Sequence, residues 1–323
     1  MPKLPDIVGH ERQLLELARD IESGNIAHAY LFSGRRHLGK MTVAHRFALQ
    51  LLLIGLPEEG REQARHDFGK LTHPDLLVLD QLWIEGVQED WEQIARTSNV
   101  PQVHRAKKEQ KAKTDSIGIE DIRVLQGRLL ETGIGVWRCC VIRSAERMRD
   151  EAANAFLKIL EEPPPGLVFL LTTQQKSSLL PTIVSRARGI PFHPLSRAAM
   201  QPLLADCTED DRQFIVHLAQ GAPGIATLLR RDPDALRTRR LVHARALSFW
   251  RTPALGERMQ ILVPLHKRGQ ESDDLLLHLA LALRGESPDI IRRNAPPLAR
   301  LADGLRTNAH RQLLAQEFAL SVS

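Results

Sequence analysis

The sequence predicts an α/β domain built on a parallel sheet, followed by a wholly helical remainder. Three observations carry this. Short apolar runs at 28–32, 76–79, 139–142 and 167–171 are too brief for helices and too uniformly apolar for half-exposed strands, so they read as strands buried on both faces. Between the last two lies a segment of helical period, which makes strand, helix and strand one right-handed crossover unit. After Pro194 the alternation of strands and helices stops, and leucines recur at helical spacing.

The elements follow in order. Ile7 to Gly24 is an amphipathic helix with Leu14, Leu15, Leu17, Ala18 and Ile21 on its apolar side, and Gly24-Asn25 ends it. His28 to Phe32 is the first strand. Ser33 to Lys40, SGRRHLGK, then turns into a helix from about Met41 to Ile54. Gly34, Gly39 and Lys40 fit the phosphate-loop template G-x-x-x-x-G-K-[ST], and Met41 does not. Glycines let backbone amides approach phosphate, a helix N-terminus favours anions and a lysine neutralises terminal phosphates. Met41 removes the hydroxyl that would ligate magnesium, and Thr42 sits about 100° further around the helix. Two readings stand: a cradle that still binds ATP or ADP, or a degenerate loop, empty and kept for the fold. No cofactor is expected.

Pro57 to Thr72 reads as a polar connection, and His73-Pro74-Asp75 leads into the strand Leu76 to Leu79. His66 and His73 have no partners at metal spacing, so no metal is expected. Gln81 to Ser116 has no clear period; its Trp83 and Trp91 read as pins for a solvated loop, and 104–113, HRAKKEQKAK, is basic enough to meet a phosphate backbone. Ile117 to Glu131 is a helix with Ile119, Ile122, Leu125, Leu129 and Leu130 on one side.

Cys139 to Ile142 is the next strand, and its corner is Arg143-Ser144. In phosphate-loop nucleoside triphosphatases that corner holds one or two acids for magnesium and water. A cation and a hydroxyl cannot do this, because magnesium needs oxygen ligands and negative charge. A helix follows, with Asp150 as its expected cap, Ala152, Ala153, Phe156, Leu157, Ile159 and Leu160 on its apolar side, and Pro163 to Gly166 as its stop. Leu167 to Leu171 is a strand ending in Thr172-Thr173. Helices are then expected at Ser196 to Ala205, at Asp210 to Gln220 and after Gly224, and 238–323 reads as helical throughout.

Composition bounds the function. The 323 residues suffice for two or three domains, and the net charge of +5 (44 basic against 39 acidic residues) permits nucleic-acid contact without demanding it. Aromatics, at 4%, are too few for a stacking platform. No run is long enough to cross a bilayer, and MPKLPDIVGHE lacks a signal core, so a soluble, cytoplasmic protein is expected. Three cysteines offer neither a disulfide framework nor a zinc pattern; Cys139 and Cys140 read as core residues.

The run from Asp150 through AANAFLKILEEPP, the LTT after the strand and the LLPTIVSRAR segment together resemble the bacterial DNA polymerase III clamp-loader branch of the AAA+ proteins. The resemblance spans about 7–195 with specific motifs and continues more thinly to Thr307–Leu320. It implies an AAA+ core at 1–194, a helical lid at 195–237 and a helical collar for oligomerisation at 238–323. In this family an SRC tripeptide supplies an arginine finger to the neighbouring subunit's ATP; here Ser185-Arg186-Ala187 matches, so Ser185 and Arg186 carry over and the cysteine does not. Arginine suits the task because it stays charged and presents a planar fork of donors. Many relatives bind zinc between the first helical elements, but 57–72 holds no cysteine, and Gly224-Ile225-Ala226 stands where working relatives place a sensing arginine.

The combination implies a non-hydrolysing structural subunit of a replicative clamp loader. Its partners would be gamma/tau-like motor subunits and delta-like subunits, met through 238–323 and the Arg186 face, with the sliding clamp and primed DNA in the complex and no membrane. The alternatives are an ATP-hydrolysing motor subunit of the same complex, or a DNA-binding protein on an inert AAA+ scaffold.

Overall fold

The structure, a computed structural model, describes residues 7–79, 116–130 and 133–322. The expectations for Trp83, Trp91 and the basic run 104–113 lie outside those residues. The described chain divides into two compact units, one ending at Thr227 and the other comprising 228–322.

The first unit is a five-stranded, wholly parallel sheet covered by helices. Its elements are α1 (Glu11–Ser23), β1 (Ala29–Ser33), α2 (Lys40–Leu52), α3 (Glu58–Gly69), β2 (Leu76–Leu79), α4 (Ile119–Leu129), β3 (Arg138–Ile142), α5 (Asp150–Glu161), β4 (Leu167–Thr173), α6 (Pro181–Arg186), β5 (Arg188–Pro191), α7 (Arg197–Met200), α8 (Glu209–Ala219) and α9 (Pro223–Arg231). The strand order is β2-β3-β4-β1-β5. β1 lies between β4 and β5, with Leu31 level with Leu171 and Gly189, so the loop after β1 emerges beside those after β4 and β5.

Successive side chains of each strand enter opposite cores, as the two-residue period requires. Ala29, Leu31, Cys140, Ile142, Phe169 and Leu171 pack with α4 and α5 on one face, while Tyr30, Phe32, Cys139, Val141, Val168 and Leu170 pack with α2 on the other. The adjacent cysteines therefore point apart. Both are fully buried, and burial raises both thiols well above their ordinary range. Phe156 and Phe169 meet edge-on at 5.1 Å, a geometry that adds about 0.5–1.5 kcal/mol beyond area burial.

Several boundaries differ from expectation for local physical reasons. α1 starts at Glu11, because Gly9 and His10 hold positive φ; the turn lays Gly9 against the Leu195 side chain and sends His10 Nε2 to the Leu38 carbonyl at 2.7 Å. The polar stretch 57–72 contains the helix α3, of which Ala64 alone is buried, so it had no apolar stripe to read. Asp150 is the first residue of α5, and the cap position belongs to Arg149. α6 and β5 were not expected; β5 has one buried residue, Ile190, and owes its place to pairing with β1. Ser196 and Thr208 cap α7 and α8, accepting from Ala199 N and Asp211 N.

The second unit comprises α10 (Pro233–Arg251), α11 (Leu255–Ile261), α12 (Gln270–Leu283), α13 (Pro288–Arg306) and α14 (Arg311–Ser321). Leu275, Leu279, Leu283, Leu298, Leu301 and Leu305 fill its core with Phe249 and Phe318, whose rings stack at 5.3 Å. Among the described residues no helix is long and apolar enough to cross a membrane.

Candidate functional site

All five strands run parallel, so their C-terminal ends share one edge of the sheet, and that edge gathers the expected phosphate loop and the Arg143-Ser144 corner. Ser33 ends β1 and hands the chain to Gly34, whose N–H donates to the Thr173 carbonyl at 3.1 Å. Gly34 has φ +144°, and a Cβ there would strike the Phe192 carbonyl. The glycine is needed at this position for both reasons. Gly39 also holds positive φ, at +88°, and leads into α2 as its cap.

Lys40 is buried, and its Nζ donates to the carbonyls of Gly34 (2.5 Å) and Arg35 (2.6 Å). The lysine thus closes the loop from within. Burial lowers its pKa to about 8; Glu146 opposes that shift, while Arg143 and Arg36 add to it. Met41 packs against the apolar cluster on the α2 side of the sheet, and Thr42 is exposed. His37, held at positive φ, accepts at its carbonyl from Gly224 N at 2.9 Å, which ties the start of α9 to the loop.

At the end of β3, Arg143 N donates to Leu79 O and Ser144 N to Thr172 Oγ1 at 3.0 Å, with Ser144 at φ +54°. The corner presents a guanidinium and a hydroxyl. The carboxylate that acts on Lys40 is Glu146, two residues beyond the corner, and its Oε1 accepts from Gln174 N at 3.3 Å in the loop after β4. Glu146 was not among the residues expected here. Only its distance from the corner hinted at it, and a charged residue on a turn is ordinarily solvated. Behind the corner His45, on α2, has its pKa lowered to about 4, mainly by burial and further by Arg143. The group that a phosphate-loop fold holds with magnesium does not fit these donors: at the two magnesium positions stand a methionine turned into the core and an arginine.

Ser185 and Arg186 lie elsewhere, at the C-terminal end of the six-residue α6. Arg186 Nη2 bonds Glu161 Oε1 at 2.9 Å and Nη1 donates to Thr182 O at 3.2 Å; its side chain is 36% exposed. Ser185 Oγ donates to the same carbonyl. Glu161 belongs to the LEEPP run, so two motifs twenty-five residues apart meet here. Arg188, two residues on and 35% exposed, is held instead by two carboxylates: it pairs with Glu16 (3.1 Å) and with the buried Asp20 (2.6 Å), and Asp20 also accepts from Tyr30 Oη.

Residues 9–196 match the family model described as DNA polymerase III, delta subunit. The chain is 31% identical over 224 residues to DNA polymerase III subunit delta' of Bacillus subtilis, covering 68% of this chain and 59% of that protein. It is 32% identical over 205 residues to subunit delta' of Pseudomonas aeruginosa (61% and 54% covered) and 30% identical over 207 residues to subunit gamma/tau of Mycobacterium tuberculosis (64% and 31% covered). The chain thus spans from about a third to three fifths of the length of these curated relatives. A solved DNA polymerase III gamma subunit-related protein of Thermotoga maritima has a TM-score of 0.50 at 18% identity, covering 95% of this chain and 97% of that one, which agrees with the AAA+ type of fold.

Proposed function

The chain belongs to the family described as DNA polymerase III, delta subunit, and from that premise we propose that it is a non-hydrolysing, delta'-type subunit of a replicative clamp loader. It lends Arg186 to the ATP site of a neighbouring motor subunit. The observation that carries this reading is the contrast between two arginines: Arg143 occupies the corner where an acid would hold magnesium, while Arg186 is partly exposed and its ion-pair partner, Glu161, is exposed.

A magnesium nucleotide at Gly34–Lys40 would meet Arg143 in place of a carboxylate and Met41 in place of a hydroxyl, and it would have to draw Lys40 from two carbonyls. Arg186 faces the opposite balance. Its pair with Glu161 is 36% exposed on the arginine and 51% on the glutamate, and such pairs contribute about 0–1 kcal/mol, so exchanging Glu161 for a phosphate costs little. A finger given in trans raises rates by about three to five powers of ten. The division into core (1–194), lid (195–237) and collar (238–323) belongs to the same proposal, with gamma/tau-like and delta-like neighbours met through 238–323 and the Arg186 face. So do the sliding clamp, primed DNA and a cytoplasmic location.

ATP turnover by a reconstituted loader with clamp and primed DNA tests this, comparing wild type with Arg186→Ala and running the chain alone as control. The chain alone is expected to be silent, and Arg186→Ala to assemble normally while slowing the motors. Turnover by the chain alone that is lost in Lys40→Ala would establish the motor reading instead. An Arg186→Ala loader with unchanged turnover would end the finger assignment.

A further inference from the structure

The charge of this chain is unevenly distributed. Segment 228–323 holds 16 arginines and lysines against 10 acids, a net +6, while 1–227 holds 28 against 29. The helical unit therefore carries all of the net positive charge. Within it, residues 235–256 contain five arginines and no acid, and all five lie on α10.

The helix sorts them. Arg239 turns inward and pairs with Asp274 on α12, on the side where Ala246 and Phe249 are buried. Arg237, Arg240, Arg245 and Arg251 fall within an arc of about 140° on the opposite side, at 100° per residue. Arg237, Arg245 and Arg251 are exposed, and the residues between them are small, Thr238, Ala244 and Ser248, apart from Leu241. Arg237 to Arg251 spans about 21 Å along the axis at 1.5 Å per residue. The acid on this face is Asp234, bonded to Arg237 at 3.2 Å where water screens the pair. Surfaces that serve only solubility intersperse the two signs, because a row of like charges repels itself.

We propose that this face of α10 is a binding surface for the phosphate backbone of duplex DNA, independent of base sequence. Duplex DNA presents one phosphate per about 1.7 Å of axis, a continuous polyanion that several guanidiniums can meet at once, each offering a bidentate fork. The face has no aromatic for stacking unpaired bases, and Leu241 alone could anchor an acidic peptide. Small residues between the arginines let a broad, flat backbone approach. The proposal does not depend on the finger.

Fluorescence anisotropy of a labelled 20-base-pair duplex of arbitrary sequence, titrated with the full chain between 50 and 200 mM NaCl, tests it. Wild type is expected to bind at 50 mM and weaken steeply with salt. The triple variant Arg237→Gln/Arg245→Gln/Arg251→Gln should bind at least about ten-fold more weakly, with a salt slope shallower by about 0.9 per lost phosphate contact. A triple lysine variant, which keeps charge at the same exposed positions, should retain most of the slope; if it behaves like the glutamine variant, charge is not the cause. No duplex binding at 50 mM, or an unchanged affinity and slope in the glutamine variant, overturns the proposal. Binding of polyglutamate without binding of duplex does so too, and would identify the occupant as an acidic protein segment.

Discussion

His45 offers a sharp test of what burial behind the corner does to a titrating group. Its pKa is pushed down to about 4, chiefly by burial and then by Arg143, its ring meets Phe68 edge-on at 5.9 Å, and its Nε2 is buried without a hydrogen-bond partner among the described residues. In the unfolded chain this imidazole titrates near 6.5. Between about pH 6.5 and 4 the unfolded state therefore binds a proton that the folded state refuses, and stability falls as pH falls through that window. Fully expressed, that difference corresponds to about 3.4 kcal/mol, and about 2 kcal/mol of it is expressed between pH 7 and pH 5. His45→Gln cannot titrate. Amide hydrogen exchange of peptides covering β1 and β4, corrected for intrinsic rates, should show wild type losing about 2 kcal/mol more protection than the variant on going from pH 7 to 5. Carboxylates titrate equally in both proteins and cancel. Equal pH dependence of the two would show that His45 takes its proton in place and would refute the reasoning.

The remaining predictions contrast neighbouring residues. Arg188→Ala leaves Asp20, whose side chain is 6% exposed, without its cation and should cost about 2–4 kcal/mol in chemical denaturation, whereas Arg186→Ala should cost less than about 1 kcal/mol. Gly34→Ala forces a side chain into φ +144° and against the Phe192 carbonyl, and should cost about 2 kcal/mol or more, read as a lowered melting temperature of the first unit. For Lys40, burial holds the folded amine at about pKa 8 against an ordinary value near 10.5, so the unfolded chain binds the extra proton and stability should rise between about pH 8 and 10.5. That rise should be absent from melts of Lys40→Met.

Much of the α/β unit was legible because burial on both faces leaves a plain mark. The runs at 76–79, 139–142 and 167–171 are apolar throughout, and each is a strand within two residues of its expected ends. α3 was missed for the converse reason: a helix that buries one alanine shows no stripe. β5 was missed because one buried residue cannot announce a strand, and its pairing with β1 supplies what the local pattern lacks.

By itself the sequence determined which chemistry each position can offer: a phosphate loop without its hydroxyl, a corner holding Arg143 and Ser144, a Ser-Arg pair after LEEPP, and adjacent cysteines on a strand. Residue identity and local period suffice for that, since a side chain's charge and the face it takes within its own element do not depend on distant chain. Only the tertiary structure decided what those groups do to one another. Lys40 turns onto its own loop, Glu146 acts on its charge from beyond the corner, Glu161 holds Arg186, and Arg188 closes on Asp20, 168 residues away. Such pairings depend on which elements the packing brings side by side, and that is set by the burial of the whole apolar pattern at once.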